Sequence, residues 1–220
     1  MKKANKILLL TGISLLLVFC VYTALVATVG VEAIGPNGSE VGFASLNGAF
    51  HRLTGVNWDL YDLTDLLGLL PLLAVLAFAG LGAYQWWSRR SFRRVERTLF
   101  VLGAYYIVVL LAFVAFEVVE INYRPVLIEG VLEASYPSST TMLALTVLPT
   151  LIVELRDLLP SRRAYLAFSA FSVVLAALML FGRLLSGVHW LTDIVGGILL
   201  SAALFLVYLA MRRHVAQRKG

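Results

Sequence analysis

Apolar residues run for about twenty positions at a time along this chain, and that limits its folding more than any other feature. Six runs stand out, at about 7–29, 64–87, 98–119, 139–158, 164–185 and 190–211. Each approaches the roughly 20 residues that cross about 30 Å of hydrocarbon. In hydrocarbon the backbone must satisfy its own hydrogen bonds, which leaves only helices and closed barrels. Barrel strands alternate apolar with polar residues; these runs do not, so they predict helices. Composition agrees: of 220 residues, 60% are hydrophobic and 14% charged, far from the balance of a soluble domain. The expectation is an all-α, polytopic membrane protein, a single domain over residues 1–220 with six transmembrane helices.

The first run follows Lys2, Lys3 and Lys6. It is longer than the roughly 7–15 apolar residues of a signal peptide, so it reads as a retained span. The single cysteine, Cys20, lies within it and has no second cysteine to pair with. Fifteen of the 18 lysines and arginines collect at the N-terminus, in "SRRSFRRVER", in "RDLLPSRR" and in the tail "RRHVAQRKG". Six spans put all four clusters on one side, which the positive-inside rule makes the cytoplasm, with both termini there. Topology therefore accounts for the basic tail, and nucleic acid is not an expected partner. Ten of the 13 acidic residues fall on the opposite side or at helix ends facing it. That side also holds residues 30–63, where Phe50, Leu53, Trp58, Leu60 and Tyr61 mix with polar residues. This pattern predicts an outer loop with an interfacial helix.

Polar residues gather at the outer ends of spans three to six. Glu117, Glu120, Asn122, Arg124 and Pro125 follow the third span, and "YPSSTT" (136–141) opens the fourth. The last connection, "FGRLLSGVHWLTDIVGG", brings Arg183, Ser186, His189 and Asp193. Ionisable residues at such positions are functional candidates. His189 and Asp193 are four apart, so on a helix they share a face. A carboxylate there fixes one imidazole nitrogen and frees the other, which suits a nucleophile, a base or a metal ligand, or simply a self-satisfied polar pair. Only His51 offers a second histidine on this side, which weakens the metal reading. Arg124 and Arg183 are natural anion partners, against the plainer reading of arginines reaching for headgroups. Pro137 and Ser138 predict a capped helix start whose N–H groups face an anion, against ordinary capping. Together these residues point to a phosphate at the membrane surface.

At this point the residues resemble the integral-membrane type 2 phosphatidic acid phosphatases. That family shares an active-site plan with vanadium haloperoxidases and bacterial acid phosphatases. Its three motifs read K-x6-R-P, P-S-G-H and S-R-x5-H-x3-D. Here Glu117, six residues, Arg124 and Pro125 match the first, and Pro137, Ser138, Ser139 and Thr140 the second. Gly182, Arg183, five residues, His189, three residues and Asp193 match the third, and the likeness spans about residues 50–205. The resemblance implies a lipid phosphatase needing no metal or other cofactor. By resemblance His189 attacks phosphorus to form a phosphohistidine and Asp193 orients it. Arg124, Arg183, Ser138 and the N–H of Ser139 hold the phosphate, and Thr140 helps to position it.

Two positions depart from the family. Thr140 stands where relatives keep the histidine that protonates the leaving group, and a threonine hydroxyl supplies no proton near neutral pH. Glu117 stands where they keep a phosphate-binding lysine. Three roles are open to it: a protonated replacement acid, a partner of Arg124 or Arg183, or a site for a cationic headgroup. A lipid diphosphate suffers least from a missing acid, because its leaving group is itself a phosphate with a second pKa of about 6. The expected substrate is therefore a polyprenyl diphosphate, such as the undecaprenyl carrier of the bacterial cell wall, met at the outer face of the plasma membrane. The alternatives are phosphotransfer between lipid headgroups and a binder or translocator without turnover.

Overall fold

The computed structural model describes residues 1–217; Arg218 and Lys219 of the basic tail lie outside the described residues. Among the described residues eight α-helices follow one another: α1 (Lys3–Thr28), α2 (Ala44–Thr54), α3 (Trp58–Leu67), α4 (Leu69–Arg89), α5 (Arg97–Val118), α6 (Ser139–Leu158), α7 (Arg162–Leu185) and α8 (Leu191–Ala216). Among the described residues the only β-pairing is three isolated antiparallel bridges.

Among the described residues, five stretches are long and apolar enough to cross a membrane: α1, α5, α7, α8, and α3 with α4 taken together as Trp58–Arg89. The apolar run expected at 64–87 thus starts earlier, inside the segment expected as outer loop. The run expected at 139–158 is a helix, α6, but it does not join these five. Hydroxyls at Thr140, Thr141, Thr146 and Thr150, Pro149 within the helix, and Glu154 dilute its apolar character. It can bear them because it packs inside the bundle, against α4, α7 and α8, rather than against lipid.

Helix α8 is the axis of the bundle. Its buried residues lie all round, and it packs against α1, α2, α5, α6 and α7. The outer helices instead present bare leucines, Leu17, Leu76 and Leu111 among them, as lipid-facing surfaces do. Lipid supplies no hydrophobic force between helices, so close packing and buried polar bonds hold the bundle. Gly12 of α1 illustrates the first: a β-carbon there would come within 2.8 Å of Val207 Cγ2. Two polar bonds fix α1 antiparallel to α8. The Tyr22 hydroxyl donates to Thr192 O at 3.2 Å, and Asn5 Nδ2 donates to Gln217 Oε1 at 3.3 Å.

Two further sets of polar bonds join α6 to α8 in parallel. At their starts Ser138 N–H donates to Asp193 O at 3.1 Å. At their far ends Glu154 accepts from Arg212 Nε at 3.0 Å and from the Tyr208 hydroxyl, while Arg212 also pairs with Asp157. Tyr106 of α5 adds a bond to Thr150 Oγ1 at 2.7 Å. The start of α6, the start of α8 and the C-terminal ends of α5 and α7 therefore meet at one end of the molecule.

Candidate functional site

A tight hairpin places the first arginine. Between α5 and α6 the chain pairs Tyr123 with Ala134 and Ile128 with Val131, turning at Glu129 and Gly130 with φ of 49° and 81°. Positive φ at both central residues is the signature of a two-residue hairpin turn. The pairing sets Arg124 beside Glu133: Arg124 N–H donates to Glu133 O at 3.0 Å, and Nε donates to Glu133 Oε2 at 2.9 Å. Arg124 Nη1 then reaches His189 Nε2 at 3.2 Å. Arginine is only a donor, so Nε2 is the acceptor and Nδ1 carries the proton. His189 is fully buried, and burial followed by the charges of Arg124 and Arg183 holds its pKa well below the usual 6.5. The imidazole is neutral, with its lone pair on Nε2.

The His–Asp pair differs from the helical face expected of it. His189 lies in the connection before α8, while Asp193 is in that helix's first turn and caps its start through the Trp190 N–H. Asp193 Oδ2 accepts from Trp190 N–H at 2.9 Å, and Oδ1 accepts from Asn122 Nδ2 at 3.0 Å. With both oxygens engaged, Asp193 Oδ2 stays 3.7 Å from His189 Nδ1, beyond a hydrogen bond. The connection depends on Gly187, whose φ is +68°; a β-carbon there would meet Gly55 O at 1.7 Å.

Arg183 is anchored by α3. Its Nη1 donates to Tyr61 O and Thr64 Oγ1, both at 3.2 Å, and its Nη2 to Asp65 Oδ1 at 3.1 Å. The guanidinium also lies 4.6 Å over the Tyr61 ring. Tyr61, Thr64 and Asp65 share one helical face, a periodicity that could have marked them in the sequence; nothing in the sequence marked Glu133 as the partner of Arg124. Neither arginine pairs with Glu117, which sits exposed at the end of α5.

Ser138 departs from expectation too. It occupies the position before α6, but its side chain makes no capping bond. Its hydroxyl, His189 Nδ1 and Arg183 Nε are all buried without a hydrogen-bond partner. Proteins leave few such atoms; a ligand's oxygens would satisfy the Ser138 hydroxyl and Arg183 Nε, while His189 Nδ1 faces Asp193. Asn47 and Thr192, which the sequence gave no reason to single out, brace the site from α2 and α8. Asn47 Nδ2 donates to Thr192 Oγ1 at 2.9 Å, and Thr192 N–H donates back to Asn47 Oδ1 at 3.2 Å.

Three openings meet here. A crevice of about 10 Å³, room for one water, lies beside His189 and is lined by Ser139, Glu117 and Phe116 among others. A vestibule of about 430 Å³ borders Arg124, Glu117, Glu120 and Glu133. A largely apolar groove of about 580 Å³ runs between α4, α5 and α6 and ends at Asp65, Ser139 and Thr140. Thr140 thus faces the groove rather than the crevice.

The family model of the PAP2 superfamily matches residues 116–216, which include all three motif segments. Among solved structures the chain is similar to a transmembrane PAP2 type phosphatidylglycerolphosphate phosphatase from Bacillus subtilis. The two are 24% identical with a TM-score of 0.60, and the match covers 92% of this chain and 96% of that one. At that identity the likeness speaks for the fold. No curated protein sequence matches the chain.

Proposed function

The chain belongs to the PAP2 superfamily, and from that premise we propose that it is a membrane lipid phosphatase working through a phosphohistidine on His189. The observation that carries the reading is the state of His189. It is buried and neutral, its Nε2 lone pair covered only by an Arg124 N–H, and the nearby start of α6 holds the unpartnered Ser138 hydroxyl. A phosphoryl group entering the crevice takes over the free N–H groups of Arg124, the Ser138 hydroxyl and the N–H of Ser139. Arg183, held by α3, contributes its charge and unpartnered Nε. Nε2 then attacks phosphorus as the bond to the lipid oxygen breaks, and water releases phosphate from the histidine in a second step. Asp193, fixed by Asn122 and Trp190, faces the Nδ1 side and offsets the positive charge the ring acquires.

The leaving group narrows the substrate. Thr140 supplies no proton, and Glu117 is the carboxyl side chain that lines the crevice. A diphosphate expels a phosphate and asks little of either, so a polyprenyl diphosphate suits the site best, its chain lying in the apolar groove. In the six-span arrangement, with α6 counted as a span, the site faces outward and the basic clusters lie in the cytoplasm.

Assaying purified protein against matched lipid mono- and diphosphates tests this. Diphosphate turnover should dominate and vanish in His189→Ala. Thr140→His should raise monophosphate turnover, and Glu117→Gln should lower it. Turnover of monophosphates alone would overturn the diphosphate assignment.

A further inference from the structure

The openings around His189 do not fit together as they stand, and one side chain stands where they join. The crevice beside His189 holds about 10 Å³, enough for one water and too little for a phosphoryl group. Next to it lie a groove of about 580 Å³ and a vestibule of about 430 Å³. Phe113 lines all three. Among the other walls of the crevice, Phe116, Met142, Ser135 and Tyr136 are fixed. Phe116 packs edge-on against Phe19 at 5.7 Å and Tyr136 at 5.9 Å, Met142 is buried in the main core cluster, and Ser135 is bonded to Asn122. Tyr136 is stacked on Phe19 and bonded to Thr23. Phe113 makes no ring contact, is 38% exposed, and sits one turn before Phe116 and Glu117 on α5.

We propose that Phe113 is the gate between the apolar groove and the His189 crevice, so that the phosphate of a lipid lying in the groove reaches His189 only when this ring swings aside. The inference rests on the lipid-phosphate reading above and adds the residue that controls entry. Ring rotation about χ1 needs no backbone movement, and the groove on one side and the vestibule on the other provide space for it. A gate leaves a kinetic mark that a mere contact does not. It changes association and dissociation together and leaves the equilibrium constant nearly unmoved.

The probe is an NBD-tagged dodecylphosphonate, a chain-bearing phosphonate that cannot be hydrolysed, mixed by stopped flow with wild type, Phe113→Trp and Phe113→Ala in detergent micelles. Phe113→Trp should slow both rates about fivefold or more while Kd moves less than about twofold. Phe113→Ala, which removes the ring, should speed both. Association unchanged in both variants, with Kd weakened through dissociation alone, would make Phe113 an ordinary contact and overturn the gate. Failure of wild type to bind the probe at all would overturn the lipid-phosphate reading and the gate with it.

Discussion

Asn122 holds the His–Asp pair in place, and removing its side chain should show how much the site depends on that. Its Nδ2 donates to Asp193 Oδ1 at 3.0 Å and to Thr192 Oγ1 at 3.4 Å, and its Oδ1 accepts from Gly42 N–H at 3.3 Å. All of this is buried, with Asn122 1% and Asp193 0% exposed. Asn122→Ala removes a hydrogen bond to a charged oxygen, about 1.5–3 kcal/mol, and leaves the carboxylate and the Gly42 N–H short of a partner. The long Thr192 and Gly42 bonds add little, so a stability loss of about 2–4 kcal/mol is expected. Freed from its clamp, Asp193 no longer faces Nδ1 in one geometry, and kcat should fall about 10–100-fold with KM nearly unchanged. Thermal unfolding in detergent and steady-state kinetics measure the two effects. Asn122→Asp sharpens the test, because it sets two carboxylates against each other. Only with a shared proton can they coexist, so this variant should recover activity as pH falls while Asn122→Ala does not. Equal, pH-independent loss in both, or an unchanged kcat in Asn122→Ala, would refute the clamp.

The depressed pKa of His189 sets the sign of a pH effect. The folded state keeps the ring neutral, so protons favour the unfolded state as pH drops below the usual 6.5, and stability should fall there by an amount that His189→Gln abolishes. The acid limb of the rate profile should lie below 6.5 for the same reason, as a pH series of kcat/KM will show. Gly196 supports the Tyr136 ring, which an added β-carbon would meet at 2.6 Å. Gly196→Ala should cost about 1–3 kcal/mol in unfolding and displace the Pro137–Ser138 corner, raising KM. At the opposite end, Tyr208→Phe removes one of the bonds to Glu154. Unfolding in detergent should register roughly 0.6 kcal/mol, about the usual value for such bonds between membrane helices, and kcat should not change.

Much of this architecture was legible in the sequence because lipid imposes simple rules. Run lengths located the apolar helices, and motif spacing collected Arg124, Ser138, Arg183, His189 and Asp193 at one end of the bundle. What escaped was pairing across long separations. Arg183 is anchored by Tyr61, Thr64 and Asp65, more than a hundred residues away, in a stretch whose aromatic residues suggested only the interface. The half-buried Glu133 gave no sign that a hairpin would bring it to Arg124. Helix α6 fits poorly among lipid-facing spans because its threonines lie buried within the bundle, where Thr146 and Thr150 bond back to the helix and Thr150 to Tyr106. The His189–Asp193 spacing located the pair correctly yet misled about its geometry, because α8 begins only after His189.

The central claim is a covalent bond between phosphorus and His189, and trapping it tests that claim most directly. Protein turning over a lipid diphosphate labelled in its terminal phosphate is quenched in alkali, which preserves phosphohistidine, and mapped by peptide. Label on the peptide carrying His189, absent from His189→Gln, is the predicted result. Continued turnover in His189→Gln, or wild-type turnover with no label at His189, would contradict it.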